Sequence, residues 1–323
     1  MRLAYRRSDA LPVIPTLPDR LISELQQRLL AWYAVNRRDL PWRGRSDPYE
    51  ILVAEVMLQQ TGVERVAAVY ERFLAEFPGF AALAAARRQE VLRAWAGLGY
   101  NRRAVYLHEC ARVVVERHGG CLPSEPEALR RLPGLGPYTV AALLSFAFGR
   151  DVPAIDTNVR RVLGRLFSLA PRDERQLRAA AELLVPAGRS VDWNQALMDL
   201  GAVLCTAGQP RCSLCPLEDL CGWSRGQQEA RRNGDRVSLA LRVAERPEPY
   251  LGSRRFLRGR VVAILRDLAP GTLLTIEDLQ ARLAAVGAHV EISHLEEIVR
   301  SLAAEGLATA REDDLDVRIG PPD

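Results

Sequence analysis

The chain has 323 residues, 48% of them apolar and 26% charged, which is enough for two or three domains with hydrophobic cores of their own. It contains no run of about 18 uncharged apolar residues, and its N-terminus lacks the apolar stretch of a secretory signal, so we expect a cytoplasmic protein without a membrane contact. The net charge is +4, and all 44 basic residues are arginine, which excludes any mechanism that needs a lysine amine, such as a Schiff base.

The first 245 residues predict a helical body. Residues 1–20 hold three prolines and little periodicity, so we expect a loose arm there. From Leu21 to about Arg225, apolar residues recur at helical spacing between breaks of Pro, Gly, Asp or Ser, which predicts roughly ten helices joined by short loops. Residues 1–245 carry 34 arginines and 27 acidic residues, and this charge of +7 fits a polyanionic partner.

The remaining residues predict a linker and a second, smaller fold. Residues 224–251 are polar, rich in arginine and interrupted by proline, as expected of a linker. Residues 252–323 predict three helices, with Thr275 capping the second and Gly306 ending the third, and then a two-stranded wing. This order is typical of a winged-helix-like α/β domain. Residues 246–323 carry 10 arginines and 13 acidic residues, which favours a protein contact or packing over strong DNA binding by this unit alone.

Four cysteines are grouped at a spacing that suits a metal or a cluster. Cys205, Cys212, Cys215 and Cys221 follow the pattern C-x6-C-x2-C-x5-C. Disulfides are disfavoured in a cytoplasmic chain, and structural zinc usually takes two close pairs of cysteines. Four thiolates also match a [4Fe–4S] cluster. The other two cysteines, at 110 and 121, are expected to be ordinary core residues.

A glycine-rich turn lies between two helical segments at Leu132–Thr139, with the sequence LPGLGPYT. Gly134 and Gly136 allow a tight turn that exposes backbone N–H groups at the start of the next helix, and such a helix end binds anions such as a DNA phosphate. A plain helix–turn–helix is the alternative. The preceding Leu-Pro and the helical context favour a helix–hairpin–helix.

Two acidic residues are candidates for catalysis. Asp156, in the segment PAIDTNVRR, is either a simple helix cap or a carboxylate that stabilises positive charge on a sugar as a base departs. Glu55 interrupts the apolar helical segment LVAEVMLQQ. It is either a surface acid or a buried one whose raised pKa suits it to protonate a leaving group.

Together these features resemble the helix–hairpin–helix DNA glycosylases with an iron–sulfur loop, over roughly Leu21–Trp223. Within that superfamily the chain most resembles the adenine DNA glycosylase (MutY) family. The resemblance is carried by LPWR, PYEILVAEVMLQQT, WAGLGYNRRA, LPGLGPYT, IDTNVRRVL, NQALMDLGAVLC and CSLCPL, which occur in the order of that family. It implies an all-α fold of two helical domains over 21–223, with a [4Fe–4S] loop at 205–221, followed here by the winged-helix-like domain.

The resemblance also implies residue roles. Glu55 would protonate the flipped adenine and later handle the attacking water, and Asp156 would stabilise the oxocarbenium-like sugar. Asn158 would hold Asp156, and Tyr138 would line the pocket beside the sugar. Residues at the DNA interface would be Arg43, Gln59, Gln60, Thr61, Tyr100, Gly134, Gly136 and Thr139. The cluster would be bound by Cys205, Cys212, Cys215 and Cys221.

Further expectations concern the reaction and the partners. Lyase-type relatives such as endonuclease III have a lysine at the position of Tyr138, so we expect a monofunctional glycosylase that leaves an abasic site. The substrate would be double-stranded DNA with adenine opposite 8-oxoguanine or guanine, bound by a monomer at the nucleoid. The alternative is a thymine or uracil glycosylase for mismatches with guanine, a branch that usually reads RQT where this chain has Gln59-Gln60-Thr61.

Two departures from the family pattern are visible. Thr157 stands where many relatives have glycine, and the tail is too short and too helical for the NUDIX-like domain with which the family usually ends. A non-catalytic DNA-binding scaffold would have lost Glu55 or Asp156, and both are present. A transcription regulator would need a basic recognition helix, whereas EISHLEEIVRSLAAEG holds four acids and one arginine.

Overall fold

The computed structural model describes residues 17–170, 173–233, 250–313 and 316–322. Within these ranges the chain is mostly helical, and its strands form one short antiparallel pair. The chain divides into two compact units, the first made of Met1–Leu40 and Gly136–Arg242 and the second of Pro41–Leu135 and Val243–Asp323. No helix among the described residues has both the length and the apolar character needed to cross a bilayer.

The first unit is a helical bundle around α9 and α11. Its helices are α1 (Asp19–Asn36), α8 (Pro137–Phe146), α9 (Thr157–Leu166), α10 (Glu174–Leu184), α11 (Ser190–Val203) and α12 (Gly222–Arg232). Along α9, Val159, Val162, Leu163 and Leu166 repeat at helical spacing and are all buried, because this face packs on α10 and α11. Helix α1 covers the other part of α11 and completes the core.

The second unit contains the remaining helices of the body. They are α2 (Pro48–Leu58), α3 (Val63–Glu76), α4 (Phe80–Ala85), α5 (Arg88–Ala94), α6 (Arg102–His118) and α7 (Pro126–Arg130). Helix α2 starts at Asp47, whose carboxylate accepts the Tyr49 N–H at 2.7 Å, and it is apolar on nearly every face because α3 and α6 both pack on it. The edge-to-face pair of Phe73 and Trp95, 6.0 Å apart, joins α3 to the end of α5.

The C-terminal part of the second unit has the order of a winged helix. It consists of α13 (Arg254–Asp267), α14 (Ile276–Ala285), α15 (Ile292–Ala304), β1 (Thr309–Asp313) and β2 (Asp316–Gly320). The strands are antiparallel, with Thr309 opposite Gly320, and Leu274 adds a bridge to Ile319. Thr275 accepts the Asp278 N–H at 3.1 Å and so caps α14, which confirms that local prediction. Helix α13 packs against α5.

The structure changes two boundaries that the sequence predicts. The expected linker at 224–251 begins as helix α12, and residues 234–249 lie outside the described part of the chain. The helix forms because its first turn is anchored: Ser224 is buried, and the Trp223 ring lies 5.0 Å from the Arg165 guanidinium of α9. At the other end, α1 starts within the expected arm of residues 1–20, and Leu17 already joins the core; residues 1–16 are not among those described.

Candidate active site

The glycine-rich turn connects α7 to α8. Gly134 has a φ of +77°, and a β-carbon there would lie 2.8 Å from Cβ of Tyr106, so both the backbone conformation and the close approach require glycine. Gly136 is the N-terminal cap of α8, and Pro137 begins the helix with a fixed φ. The predicted phosphate-binding helix end is therefore an exposed turn at the N-terminus of α8.

Two further predicted site residues occupy the first turn of α8. Tyr138 is half-buried, and Thr139 is almost fully buried, with 2% of its surface exposed. Of the two, only Tyr138 exposes part of its side chain beside the glycine turn. Thr139 lies within the packed part of the first unit, and its contact with DNA stays a prediction.

Asp156 is held in one orientation by its own helix. Its Oδ1 accepts the Val159 N–H at 2.7 Å, which makes Asp156 the N-terminal cap of α9. Its Oδ2 accepts a hydrogen bond from Nδ2 of Asn158 at 2.8 Å. Asp156 is therefore a helix cap whose second oxygen is held by Asn158, and its stabilisation of charge on the sugar stays a prediction. The side chain is half-buried, so a ligand could approach it.

Asn158 is in turn oriented by residues that the sequence reasoning missed. Its Oδ1 accepts a hydrogen bond from Arg161 at 2.7 Å, and Arg161 also donates to the carbonyls of Gly201 at 2.8 Å and Cys205 at 2.7 Å. Burial lowers the pKa of Arg161. Gly201 is essential to this arrangement, since a β-carbon there would lie 2.6 Å from Cβ of Asn158. Both residues stand inside motifs of the sequence, IDTNVRRVL and NQALMDLGAVLC, which was the available signal.

Glu55 lies in α2 and is buried, with 6% of its surface exposed. This removes the surface-acid alternative. Glu55 belongs to the second unit, whereas Asp156, Asn158 and Tyr138 belong to the first.

The loop after α2 and the loop before α6 are tied together by Arg103, a second residue that the sequence reasoning missed. Arg103 is 8% exposed and donates to the carbonyls of Gln59 at 2.5 Å and Gly99 at 3.1 Å, and to Oγ1 of Thr61 at 2.9 Å. Burial lowers the pKa of Arg103 to about 10. The structure therefore brings Gln59 and Thr61 next to the segment that carries Tyr100.

Two residues of these loops have a left-handed backbone. Gln60 has a φ of +55° and Tyr100 a φ of +46°, a region that residues other than glycine enter at a cost of about 1–3 kcal/mol. Such conformations persist where the surroundings impose them, and here Arg103 provides the constraint. Tyr100 is 44% exposed, which is unusual for a large aromatic side chain. Arg43 lies half-buried in the turn of residues 41–44 that precedes α2, in the same unit.

The four grouped cysteines line one hollow in the first unit, together with Arg165, Trp223 and Ser224. Two short 3-10 turns, Cys212–Leu214 and Glu218–Leu220, bring them together. All six cysteines are free thiols, so no disulfide joins any of them. Cys110 is buried as expected, whereas Cys121 is exposed, so the prediction of a core position for it was wrong. Cys121 is exposed because it directly follows the turn at the end of α6.

The hollow brings four thiols around one space, as a metal centre would need. Among the described residues, no three His, Cys, Asp or Glu side chains are close enough together to hold a single metal ion. A cubane cluster has a different requirement, because each of its four irons takes one thiolate and the ligands stand further apart. Burial raises the pKa of Cys215 to about 12 and also raises those of Cys212 and Cys221, so these thiols would release protons on binding iron. Four thiols around one hollow are a donor set that an iron–sulfur cluster can use.

Comparison with known proteins gives concordant results. The model of the HhH-GPD superfamily of base excision DNA repair proteins matches residues 53–187. An adenine DNA glycosylase from Mycolicibacterium smegmatis is 43% identical over 243 residues, which cover 74% of this chain and 79% of that protein. A thymine-DNA glycosylase from Aeropyrum pernix is 37% identical over 209 residues, covering 62% of this chain and 94% of that protein.

A solved structure of a thermostable thymine-DNA glycosylase aligns with a TM-score of 0.61 and 32% identity, and it covers 64% of this chain and 98% of its own. The fold is thus shared between relatives with different names, and the sequence identity is higher to the relative named for adenine. On this similarity and on the matching segments, the chain belongs to the adenine DNA glycosylase family of the HhH-GPD superfamily.

Proposed function

We propose that this protein is a monofunctional DNA glycosylase that removes adenine opposite 8-oxoguanine or guanine in base excision repair. The observation that carries the proposal is the fixed carboxylate of Asp156, with one oxygen on the Val159 N–H and the other on the Asn158 amide. A carboxylate prepared in this way can stabilise a positive charge without reorganising during the reaction. The 43% identity to an adenine DNA glycosylase supplies the substrate base.

In the proposed reaction Glu55 donates a proton to a ring nitrogen of the adenine, and the bond between N9 and C1′ breaks. The positive charge that develops on the sugar faces the carboxylate of Asp156. Glu55, now ionised, accepts a proton from the attacking water, whose oxygen bonds to C1′. The products are free adenine and an abasic site. The buried position of Glu55 supports the first step, because a carboxyl group that donates a proton to the base has to be shielded from bulk water.

DNA binding is proposed for both units of the chain. The target bond is unreachable inside a duplex, so the adenine has to leave the stack first. The turn at Gly134 and Gly136, which leads into the N-terminus of α8, would hold a phosphate, with Tyr138 beside the sugar. In the second unit the side chains near the opened stack and the opposite base would be Gln59, Gln60, Thr61 and Tyr100, and Arg43 would contact a phosphate.

The absence of lysine supports hydrolysis without strand cleavage. A lyase of this superfamily needs an amine to form a Schiff base, and this chain has tyrosine at position 138 and no lysine elsewhere. Excision products should therefore stay uncut until the abasic site is treated with alkali. Strand breaks that appear without alkali, and that borohydride traps as a covalent complex, would contradict this part of the proposal.

We further propose that Cys205, Cys212, Cys215 and Cys221 hold a [4Fe–4S] cluster. Their common hollow and the suitability of four thiolates support this assignment. A bound cluster would supply iron–thiolate bonds that fix the loop of residues 205–221. The Cys205 carbonyl, which accepts from Arg161, would then be fixed as well. The protein would work as a monomer in the cytoplasm, at the nucleoid.

A single-turnover assay on four duplexes tests the proposed function. The duplexes contain adenine opposite 8-oxoguanine, adenine opposite guanine, thymine opposite guanine and uracil opposite guanine. We expect release of adenine only, and the ratio of the first two rates measures whether oxidation of the guanine is sensed. Release of thymine or uracil alone would move this chain to the function named for the Aeropyrum pernix relative.

A further inference from the structure

Arg255 of α13 connects the C-terminal part of the chain to Tyr100. Its Nη1 donates to the Tyr100 hydroxyl at 3.0 Å, and its guanidinium carbon lies 5.8 Å from the centroid of the same ring. Tyr250 is the other aromatic partner of Arg255, at 5.0 Å. All three residues belong to the second unit, and all are exposed. An arginine between two exposed tyrosines is an arrangement that suits contact with nucleic acid.

Helix α13 is also fixed at its other end. Gln89 of α5, only 3% exposed, donates to the carbonyls of Arg266 at 3.0 Å and Leu268 at 2.7 Å. Arg93 of α5 donates to the same two carbonyls at 2.8 and 2.7 Å. These bonds satisfy the carbonyl groups that a helix leaves open at its C-terminus. Helix α13 therefore rests on α5 at one end and on Tyr100 at the other.

Tyr100 needs outside support to keep its position. Its backbone has the left-handed φ of +46°, and its side chain is 44% exposed, so neither the chain nor a core holds the ring. Two guanidinium groups lie near the ring, that of Arg103 at 5.6 Å and that of Arg255 at 5.8 Å. Arg103 also holds the backbone around it, whereas Arg255 is the one that bonds to the hydroxyl.

We infer that Arg255 is a positioning residue for Tyr100, and that residues 250–322 thereby take part in reading the base opposite the excised adenine. The inference rests on the proposed function, in which Tyr100 lies beside that base. It gives the C-terminal part a role that its net negative charge does not suggest, because one contact at one end of α13 is enough. The sequence expectation of packing rather than independent DNA binding is compatible with it.

A double-mutant cycle in the full-length protein tests the inference. The variants are Arg255→Ala, Tyr100→Phe, which removes only the hydroxyl, and the two together. Affinity is measured for duplexes that carry a 2′-fluoro adenosine, which resists excision, opposite 8-oxoguanine or guanine. Arg260→Ala is the matched control, since Arg260 is an exposed arginine of the same helix that stacks on Phe256 at 5.2 Å. Arg255→Lys keeps the charge but loses the planar guanidinium group and its fixed set of N–H donors.

We expect Arg255→Ala and Tyr100→Phe each to weaken binding to the duplex with 8-oxoguanine by about three- to tenfold. The double variant should be no weaker than the worse single variant, because both remove the same contact. Arg255→Lys should fall between wild type and Arg255→Ala, and the preference for 8-oxoguanine over guanine should shrink in both single variants. Arg260→Ala should bind like wild type.

Multiplied losses in the double variant, an unaffected Tyr100→Phe, or an equal loss in Arg260→Ala would overturn the inference, because Arg255 would then act as a general positive charge. The cycle can fail independently of the proposed function, because it measures affinity for a duplex from which no adenine is released. Wild-type protein that releases no adenine from a reactive duplex refutes the proposed function. If wild-type protein does release adenine but the two losses of affinity multiply in the double variant, only the role of Arg255 is refuted.

Discussion

Both carboxylate oxygens of Asp156 accept a hydrogen bond from its own helix, so the side chain cannot rotate without breaking one of them. This explains how a residue that caps a helix can also serve as a fixed negative charge. The chain offers a similar helix cap at Asp173, where Oδ1 accepts the Gln176 N–H and Oδ2 accepts a hydrogen bond from the Gln176 side chain. Comparison of the two separates capping from catalysis.

Asp156→Asn should lower the single-turnover rate of adenine excision by about a thousandfold, because the charge that stabilises the sugar cation is lost while the shape is kept. Duplex affinity should stay within about threefold of wild type. The measurement is excision rate and affinity for Asp156→Asn beside Asp173→Asn, which should excise normally. Equal losses of affinity and rate, or an equal defect in Asp173→Asn, would show that Asp156 acts through the helix cap alone.

Glu55→Gln should also lower the excision rate, by about a hundredfold or more, because an amide can neither donate the proton to adenine nor accept one from water. The matched control is Glu50→Gln on the same helix, where the carboxylate pairs with Arg45 at 2.9 Å near the surface. Single-turnover excision is again the measurement. A Glu55→Gln protein that excises at nearly the wild-type rate would remove Glu55 from the acid role.

His108 gives the protein a dependence on pH that is separate from catalysis. It is 3% exposed in α6, and burial, together with Arg88 and Arg112, lowers its pKa below the ordinary value of 6.5. The unfolded chain then binds a proton that the folded chain refuses, so stability falls as the pH drops below about 6.5 and towards the lowered pKa. Above that range His108 is neutral in both states and contributes no pH dependence.

We expect His108→Gln to flatten the decline in the free energy of unfolding between pH 7 and pH 5, as measured by denaturant titration at each pH. An unchanged slope in His108→Gln would mean that other groups produce the acid sensitivity.

At the scale of elements, the crossing of α9 and α11 decides whether Asn158 can reach Asp156. The two helices approach so closely at Gly201 that a β-carbon there would meet Cβ of Asn158 at 2.6 Å and its carbonyl oxygen at 3.3 Å. The same close approach lets Arg161 bond to the Gly201 carbonyl. Small size at this position is therefore a condition for the hydrogen bonds that orient the carboxylate.

Gly201→Ala should destabilise the protein by about 1–3 kcal/mol and slow excision, because the added methyl group pushes Asn158 away from Asp156. Gly164→Ala is the control within α9, where a β-carbon would meet nothing within 4 Å. That substitution should raise stability by about 0.5–1 kcal/mol, since alanine is the better helix former. Thermal unfolding and excision rate measure both effects; a Gly201→Ala protein as stable and active as Gly164→Ala would contradict the packing argument.

Local signals explain what the sequence could predict in these elements. The Thr275 cap and the stop at Gly306 each depend on a few neighbouring residues, and the four cysteines lie within the single segment 205–221, so all are readable without a structure. Arg103 and Arg161 are different, because the contacts that tie them to other segments, with the carbonyls of Gln59 and Gly201, reach across about 40 residues of the chain. Among 44 arginines, nothing in composition or periodicity marks the few that are buried. Helix α12 was missed for a similar reason, since its anchor is Arg165 of another helix.

At the scale of the whole molecule, the division between the basic and the acidic part of the sequence differs from the division into two compact units. Residues 1–245 carry the positive balance and residues 246–323 the negative one. The two compact units do not follow this division, because Val243–Asp323 groups with Pro41–Leu135. The acidic C-terminal part thus belongs to the same unit as Gln59, Gln60 and Tyr100. If this part contributes to binding, it does so through particular contacts. The long-range attraction to DNA comes from the arginines of residues 1–245.

This division leads to a prediction about salt. Each phosphate that an arginine neutralises releases counterions, so the logarithm of the association constant should fall by about 0.9 per phosphate for each tenfold rise in salt. Arg43→Ala should therefore lower that slope by about one and weaken binding to all duplexes alike, whether the adenine is opposite 8-oxoguanine or guanine. Arg189→Ala, which removes an exposed arginine paired with Asp192 at 2.8 Å, should leave the slope unchanged. Titrations from about 50 to 200 mM salt measure both slopes. If Arg43→Ala kept the full slope but changed the preference between the two duplexes, Arg43 would be reading a base, and the phosphate role proposed for it would be wrong.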